Sequence, residues 1–149
     1  MPILNLLQGN RLSPMSAVTL QLLKALKVPV TSATVQQVIE EHPNASTLFS
    51  ISDSLKKWKV DNVCLQVEPH QLLQLPVPFL AHLHTDGGHF AVVTEVSEDQ
   101  VVYRTTSNAK TVKTLAAFKQ EWTGVVLLAE AGENAGEKDY ALNRRKQWL

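Results

Sequence analysis

The sequence predicts an α+β fold, with N-terminal helices packed on a mostly antiparallel sheet. Three observations lead there. Up to about residue 58, apolar residues recur every three or four positions. Beyond residue 61 they alternate. Short polar turns separate the alternating stretches, as a meander of antiparallel strands requires. The chain has 149 residues, 44% of them hydrophobic, which is enough for one domain with a real core.

The first helix is signalled at its start by Ser13, a good N-cap, and Pro14, which suits the first helical position. Met15, Val18, Leu22 and Leu26 form one stripe, widened by Leu20 and Leu23, so this helix is expected to be central and buried. It should end near Lys27, since Pro29 cannot continue it. A second helix is capped by Thr31 or Ser32, turns Val35, Val38 and Ile39 inward, and stops at Pro43. A third runs from about Ser46 to Trp58, with Leu48, Ile51, Leu55 and Trp58 on one side.

The period then changes. Val63, Leu65 and Val67 alternate with Cys64 and Gln66, which reads as a half-buried strand. Pro69 opens a helical turn through Leu73. Phe79, Ala81 and Leu83 alternate with Leu80, His82 and His84 in a second strand. Asp86-Gly87-Gly88 is a hairpin signal, and His89 to Val96 the return strand. Gln100 to Thr105 forms another strand after the Glu98-Asp99 turn. Thr111 to Thr114 is a short strand, Leu115 to Trp122 a short helix, and Gly124 to Ala129 the last strand.

Charge and cysteine count narrow the function. Lys plus Arg is 14 and Asp plus Glu is 14, a balance that argues against a dedicated nucleic-acid binder. The one cysteine, Cys64, excludes an internal disulfide framework and a thiolate zinc cluster. No apolar run reaches the roughly 18 residues of a membrane span, and the start has no secretory signal pattern.

Individual residues admit chemical readings. His82 and His84 lie two apart on a strand and His89 returns across the hairpin, a set zinc could use. Asp86 sits in the turn between them, but no acid is identifiable to orient the imidazoles, and polar positions on a partly exposed strand face explain His82 and His84 as well. Cys64 sits in an apolar strand with nothing to lower its pKa, so a buried or half-buried structural thiol is expected. Ser13 could act as a nucleophile with His89 as base, but its capping role already explains it.

Three longer segments resemble a known family. Pro76-Val77-Pro78-Phe79-Leu80-Ala81-His82, Gly88-His89-Phe90-Ala91-Val92-Val93-Thr94, and Phe118 followed by Trp122-Thr123-Gly124-Val125 are together similar to the papain-like leader peptidases. These enzymes remove double-glycine leaders from bacteriocins and peptide pheromones. The resemblance covers most of Leu4 to Tyr140 and implies a papain-like α+β fold. It places His89 at the catalytic base and Gln8 at the oxyanion hole. Six residues past Gln8, where active members carry cysteine in Asp-Cys-Gly, this chain has Ser13-Pro14-Met15. The acid of the family falls near Thr105-Thr106. Pro14 thus marks the missing nucleophile and Thr105 the missing acid, leaving Gln8 and His89 as vestiges.

The resemblance therefore implies a catalytically inactive domain that binds or presents a polypeptide, with Gln8, His89, Phe90 and Trp122 lining its groove. Core packing is the competing reading for Phe90 and Trp122. No cofactor or metal is expected. Residues 1–130 form the leader-peptidase-like domain. Residues 131–149 read as a linker and a basic tail, with Arg144-Arg145-Lys146, leading to the membrane domain of a longer parent. That parent is expected to be a bacterial inner-membrane protein with this domain in the cytoplasm. A peptide-exporting ABC transporter fits, as does an oxidoreductase of the vitamin K epoxide reductase type. The alternatives are a leader-peptide hydrolase using Ser13 or another group with His89, and a structural adaptor.

Overall fold

A computed structural model describes residues 12–141 and 143–144. Gln8 and residues 145–149 lie outside the described residues. Helices α1 (Pro14–Ala25), α2 (Ser32–Glu41) and α3 (Leu48–Lys57) come first. Strands β1 (Val60–Gln66), β2 (Phe79–Leu83), β3 (His89–Val96), β4 (Gln100–Arg104) and β5 (Thr111–Thr114) follow, then α4 (Leu115–Glu121) and β6 (Trp122–Ala131). The strands form one sheet in the order β1-β6-β2-β3-β4-β5, and each of these pairings is antiparallel.

The helix starts follow their capping residues. The Ser13 hydroxyl accepts the Ser16 amide at 3.2 Å with Pro14 at the first helical position. Thr31, Thr47 and Thr114 cap α2, α3 and α4 in the same way. Helix α1 is buried from Ser16 through Leu23, the central position its wide apolar face demands. It packs with α2 and α3 on one face of the sheet, around Val60, Leu80, Val92 and Leu127. A second core occupies the other face, where Phe79, Ala81, Ala91, Val93 and Val126 meet Phe118 of α4 and Leu72 of a 3-10 turn at Pro69–Gln74. Strands β2 and β3 are thus buried on both faces, so their apolar runs are almost continuous.

Two expectations need correction. Strand β1 lies at the sheet edge, and its Val63 and Leu65 face outward, 48% and 40% exposed. The alternation was real but its apolar side is the open one, because α4 covers β4 and β5 rather than β1. Cys64, on the opposite side of β1, is exposed rather than buried.

The second correction concerns the stretch after residue 130. It is docked on the helices rather than free as a linker. The Gly132 amide donates to the Lys59 carbonyl at 2.9 Å, the Gly136 amide to Trp58 at 2.8 Å, and the Glu137 amide to Pro29 at 2.9 Å. The Glu137 carboxylate accepts the Thr31 amide at 2.7 Å and the Thr34 hydroxyl at 2.9 Å. In a capping box the acid comes from the third helical residue. Here one 106 residues away completes the start of α2. Gly136 is required for this approach: its φ is +127°, and a Cβ would lie 2.8 Å from the Pro29 carbonyl.

Candidate functional site

The cleft of interest opens between the start of α1 and the β2–β3 turn. Its volume is about 720 Å³. Ser13, Pro14, Met15 and Val18 supply one wall. His82, Asp86 to Phe90 and Thr105-Thr106 supply the facing one, with Ile39, Glu40, Ala45 and Ser46 closing a side. Pro14, His89 and Thr105, far apart in sequence, therefore meet at one place. Burial of α1 fixes its first turn against the sheet, and the short turn at Thr85–Gly87 sets His89 at the start of β3.

The His89 ring is oriented by backbone. Its Nδ1 lies 2.9 Å from the Thr85 carbonyl. A carbonyl only accepts, so Nδ1 carries the proton and the Nε2 lone pair remains available. A carboxylate at Nδ1 would hold the same tautomer and also stabilise the imidazolium. The carbonyl supplies the orientation without the full negative charge. Thr105 is half-buried on the cleft wall but has no carboxylate to offer.

Pro14 presents no nucleophilic atom. The neighbouring Ser13 hydroxyl is occupied, donating to the Ser16 hydroxyl at 2.8 Å and accepting the Ser16 amide. Among the described residues it makes no hydrogen bond to His89. The Cys64 thiol lies away from the cleft on β1 and is pushed up by partial burial, only partly offset by the Ser52 hydroxyl and the Lys56 ammonium.

Phe90 lines the cleft with its ring 5.0 Å from that of His82. Trp122 does not line it. It is 6% exposed in the second core, stacked on Phe118 at 6.2 Å, with its indole N–H donated to the Val125 carbonyl. Core packing is therefore its role, on the sheet face that α4 covers. His84 turns away as well, its Nε2 on the Gln120 carbonyl at 2.6 Å. Among the described residues no group of three or more His, Cys, Asp or Glu is arranged to hold a metal ion.

Sequence reasoning missed the wall from the α2–α3 connection. Ala45 and Ser46 carry no chemical signal, and only the folded path brings them opposite Gly88. It also missed the Thr85 carbonyl, since a backbone acceptor leaves no trace in residue type. It also gives no sign of a buried histidine with an exposed partner: His42, 9% exposed, bonds the Asp53 carboxylate at 2.8 Å through Nε2 and accepts the Asn44 amide at 3.0 Å through Nδ1.

Known proteins share this fold. The structure superposes on a double glycine motif protease from an AMS/PCAT transporter in complex with the leader peptide, with a TM-score of 0.70 at 15% identity, covering 80% of this chain and 85% of the other. It superposes on the peptidase domain of Streptococcus ComA, a bi-functional ABC transporter involved in a quorum sensing pathway, with a TM-score of 0.67 at 17% identity, covering 80% and 92%. The lactococcin-G-processing and transport ATP-binding protein LagD of Lactococcus lactis subsp. lactis is 26% identical over 110 residues, 71% of this chain. The match spans only 16% of LagD. Residues 13–134, starting at the cap of α1 and ending past β6, match the family model described as Peptidase C39 family. That match takes in most of the fold and the whole described cleft, and the chain belongs to the peptidase C39 family.

Proposed function

We propose that this domain binds an extended polypeptide in the cleft and does not cut it. The observation that carries the reading is Pro14, at the start of α1 in the same cleft as His89. A helix N-terminus favours a thiolate when cysteine stands there. Proline instead only initiates the helix. Thr105 in place of an acid supports the same reading. The cleft itself is retained, with an apolar floor from Met15, Val18, Ile39 and Phe90 and a polar rim from His82, Asp86 and His89. Such a surface suits a peptide better than a small charged ligand.

The leader peptide bound to the AMS/PCAT protease supports a peptide as the ligand class here. The similarity to LagD, a processing and transport ATP-binding protein of which this chain matches 16%, supports a fused membrane domain in the parent of this chain. On this reading the domain lies in the bacterial cytoplasm beside a peptide exporter, or beside an oxidoreductase of the vitamin K epoxide reductase type, and delivers or regulates a polypeptide. Among the described residues no helix is long and apolar enough to cross a membrane.

Titration of the isotope-labelled chain with a synthetic double-glycine leader peptide tests the reading. Chemical-shift changes confined to residues of the cleft, Met15, Ile39, His89 and Phe90 among them, are expected. Saturating peptide without any change would leave the structural-adaptor alternative in its place.

A further inference from the structure

His82 stands in the cleft beside His89, and the catalytic pattern assigns it no part. Its environment fixes its protonation pattern. Strand β6 bulges opposite it: Ala81 pairs with Val126 but Leu83 pairs with Trp122, so Thr123, Gly124 and Val125 together face His82. The bulge interrupts the ladder at the His82 carbonyl, and the Thr123 hydroxyl replaces the lost donor, 3.2 Å from that oxygen. The same hydroxyl oxygen accepts the Val125 amide at 3.3 Å. With its proton on the carbonyl, Thr123 Oγ1 can only accept from His82 Nδ1, 3.1 Å away. Nδ1 therefore carries the ring proton, and Nε2 carries a lone pair.

That lone pair is open. Nε2 has no hydrogen-bond partner among the described residues, and it lies under Gly88, where a Cβ would stand 3.4 Å from it. Glycine at 88 leaves this nitrogen uncovered at the cleft wall. Phe90 packs against the ring and restrains its tilt.

We infer that His82 is a ligand-reading residue of the cleft: a neutral imidazole, locked by Thr123, that accepts a hydrogen bond from a backbone N–H of the bound peptide through Nε2. This inference rests on the peptide-binding reading above. Partial burial of the ring and the neighbouring His89 and His84 all lower the His82 pKa below the ordinary histidine range. The imidazole is thus kept neutral at and somewhat below neutral pH. Glu40 and Asp86 also line the cleft, and their carboxylates would act the other way on any charge there.

Protonation would convert the acceptor into a donor, so peptide affinity should fall as pH drops through the lowered His82 pKa. The test is fluorescence anisotropy with a labelled synthetic double-glycine leader peptide between pH 5 and pH 8. His82→Phe should weaken binding about tenfold at pH 8, the scale of one hydrogen bond to a group left unpaired. His82→Gln, whose amide can offer oxygen near the Nε2 position, should keep most of the affinity and lose the His82 part of the pH dependence. Long-range nitrogen-proton spectra of the free chain give an independent readout and should show His82 protonated at Nδ1. A ring protonated at Nε2, or binding unchanged by His82→Phe, would overturn the role of His82. Absence of wild-type binding at every pH would instead overturn the peptide reading of the cleft, and the role of His82 with it.

Discussion

At the scale of single residues, three positions decide the chemistry. Pro14 offers no nucleophilic atom, Thr105 offers no carboxylate, and the Thr85 carbonyl holds His89 with its proton on Nδ1. Placing a thiol at the start of α1 should therefore introduce thiol chemistry into the cleft. Pro14→Cys is expected to react with iodoacetamide at pH 7 at least tenfold faster than Cys64, since the new thiol sits at a helix N-terminus and in the cleft with an imidazole. Cys64 itself should react slowly at neutral pH. Its pKa is raised by burial, so its thiolate fraction, and with it the alkylation rate, should still be rising above pH 9. Peptide mapping of the two cysteines across pH measures both rates. Away from the cleft, His42 is a buried link between α2 and α3, with both ring nitrogens used. His42→Ala removes the bonds to the solvent-accessible Asp53 carboxylate and Asn44 amide and should cost about 1 kcal/mol in urea unfolding.

At the scale of elements, the segment after β6 behaves as part of the domain. Glu137 joins the far end of the chain to the start of α2, where the free amide of Thr31 and the helix dipole favour a carboxylate. Asn143 donates to the same carboxylate. Glu137→Ala should lower stability by about 1 kcal/mol, and it should make residues 132–140 the first site of limited proteolysis. The sequence was legible where local chemistry decides. Ser13-Pro14 and Thr31 mark helix starts, and the alternation marks strands at their correct places. It was not legible where tertiary position decides. Nothing in Val63-Cys64-Leu65 distinguishes an edge strand from a covered one, so the outward side was assigned inward. The polar run Gly132 to Gly136 has the composition of a linker, and only the bonds to Lys59, Trp58 and Pro29 make it a docked strap.

At the scale of the molecule, the six-stranded sheet separates two cores, and the cleft lies where α1 meets the β2–β3 end of it. This explains which candidate site residues came together. Pro14, His89, Phe90 and Thr105 belong to elements converging on that end, whereas Trp122 faces the second core on the opposite side. The resemblance motifs mark positions in a fold, and the fold gathers the first group at one cleft. A large aromatic such as Trp122 serves a core or a groove equally well until its face is known, and the fold turns it to the core. Neither Pro14 nor Thr105 holds a core together: Pro14 starts α1, and Thr105 follows β4 at the rim. On the reading proposed above, the cleft binds a peptide without hydrolysing it. The most direct test is a mass-spectrometric time course of a double-glycine leader peptide incubated with the full chain. The peptide is predicted to remain intact. Cleavage after the second glycine, abolished by His89→Ala, would contradict the account.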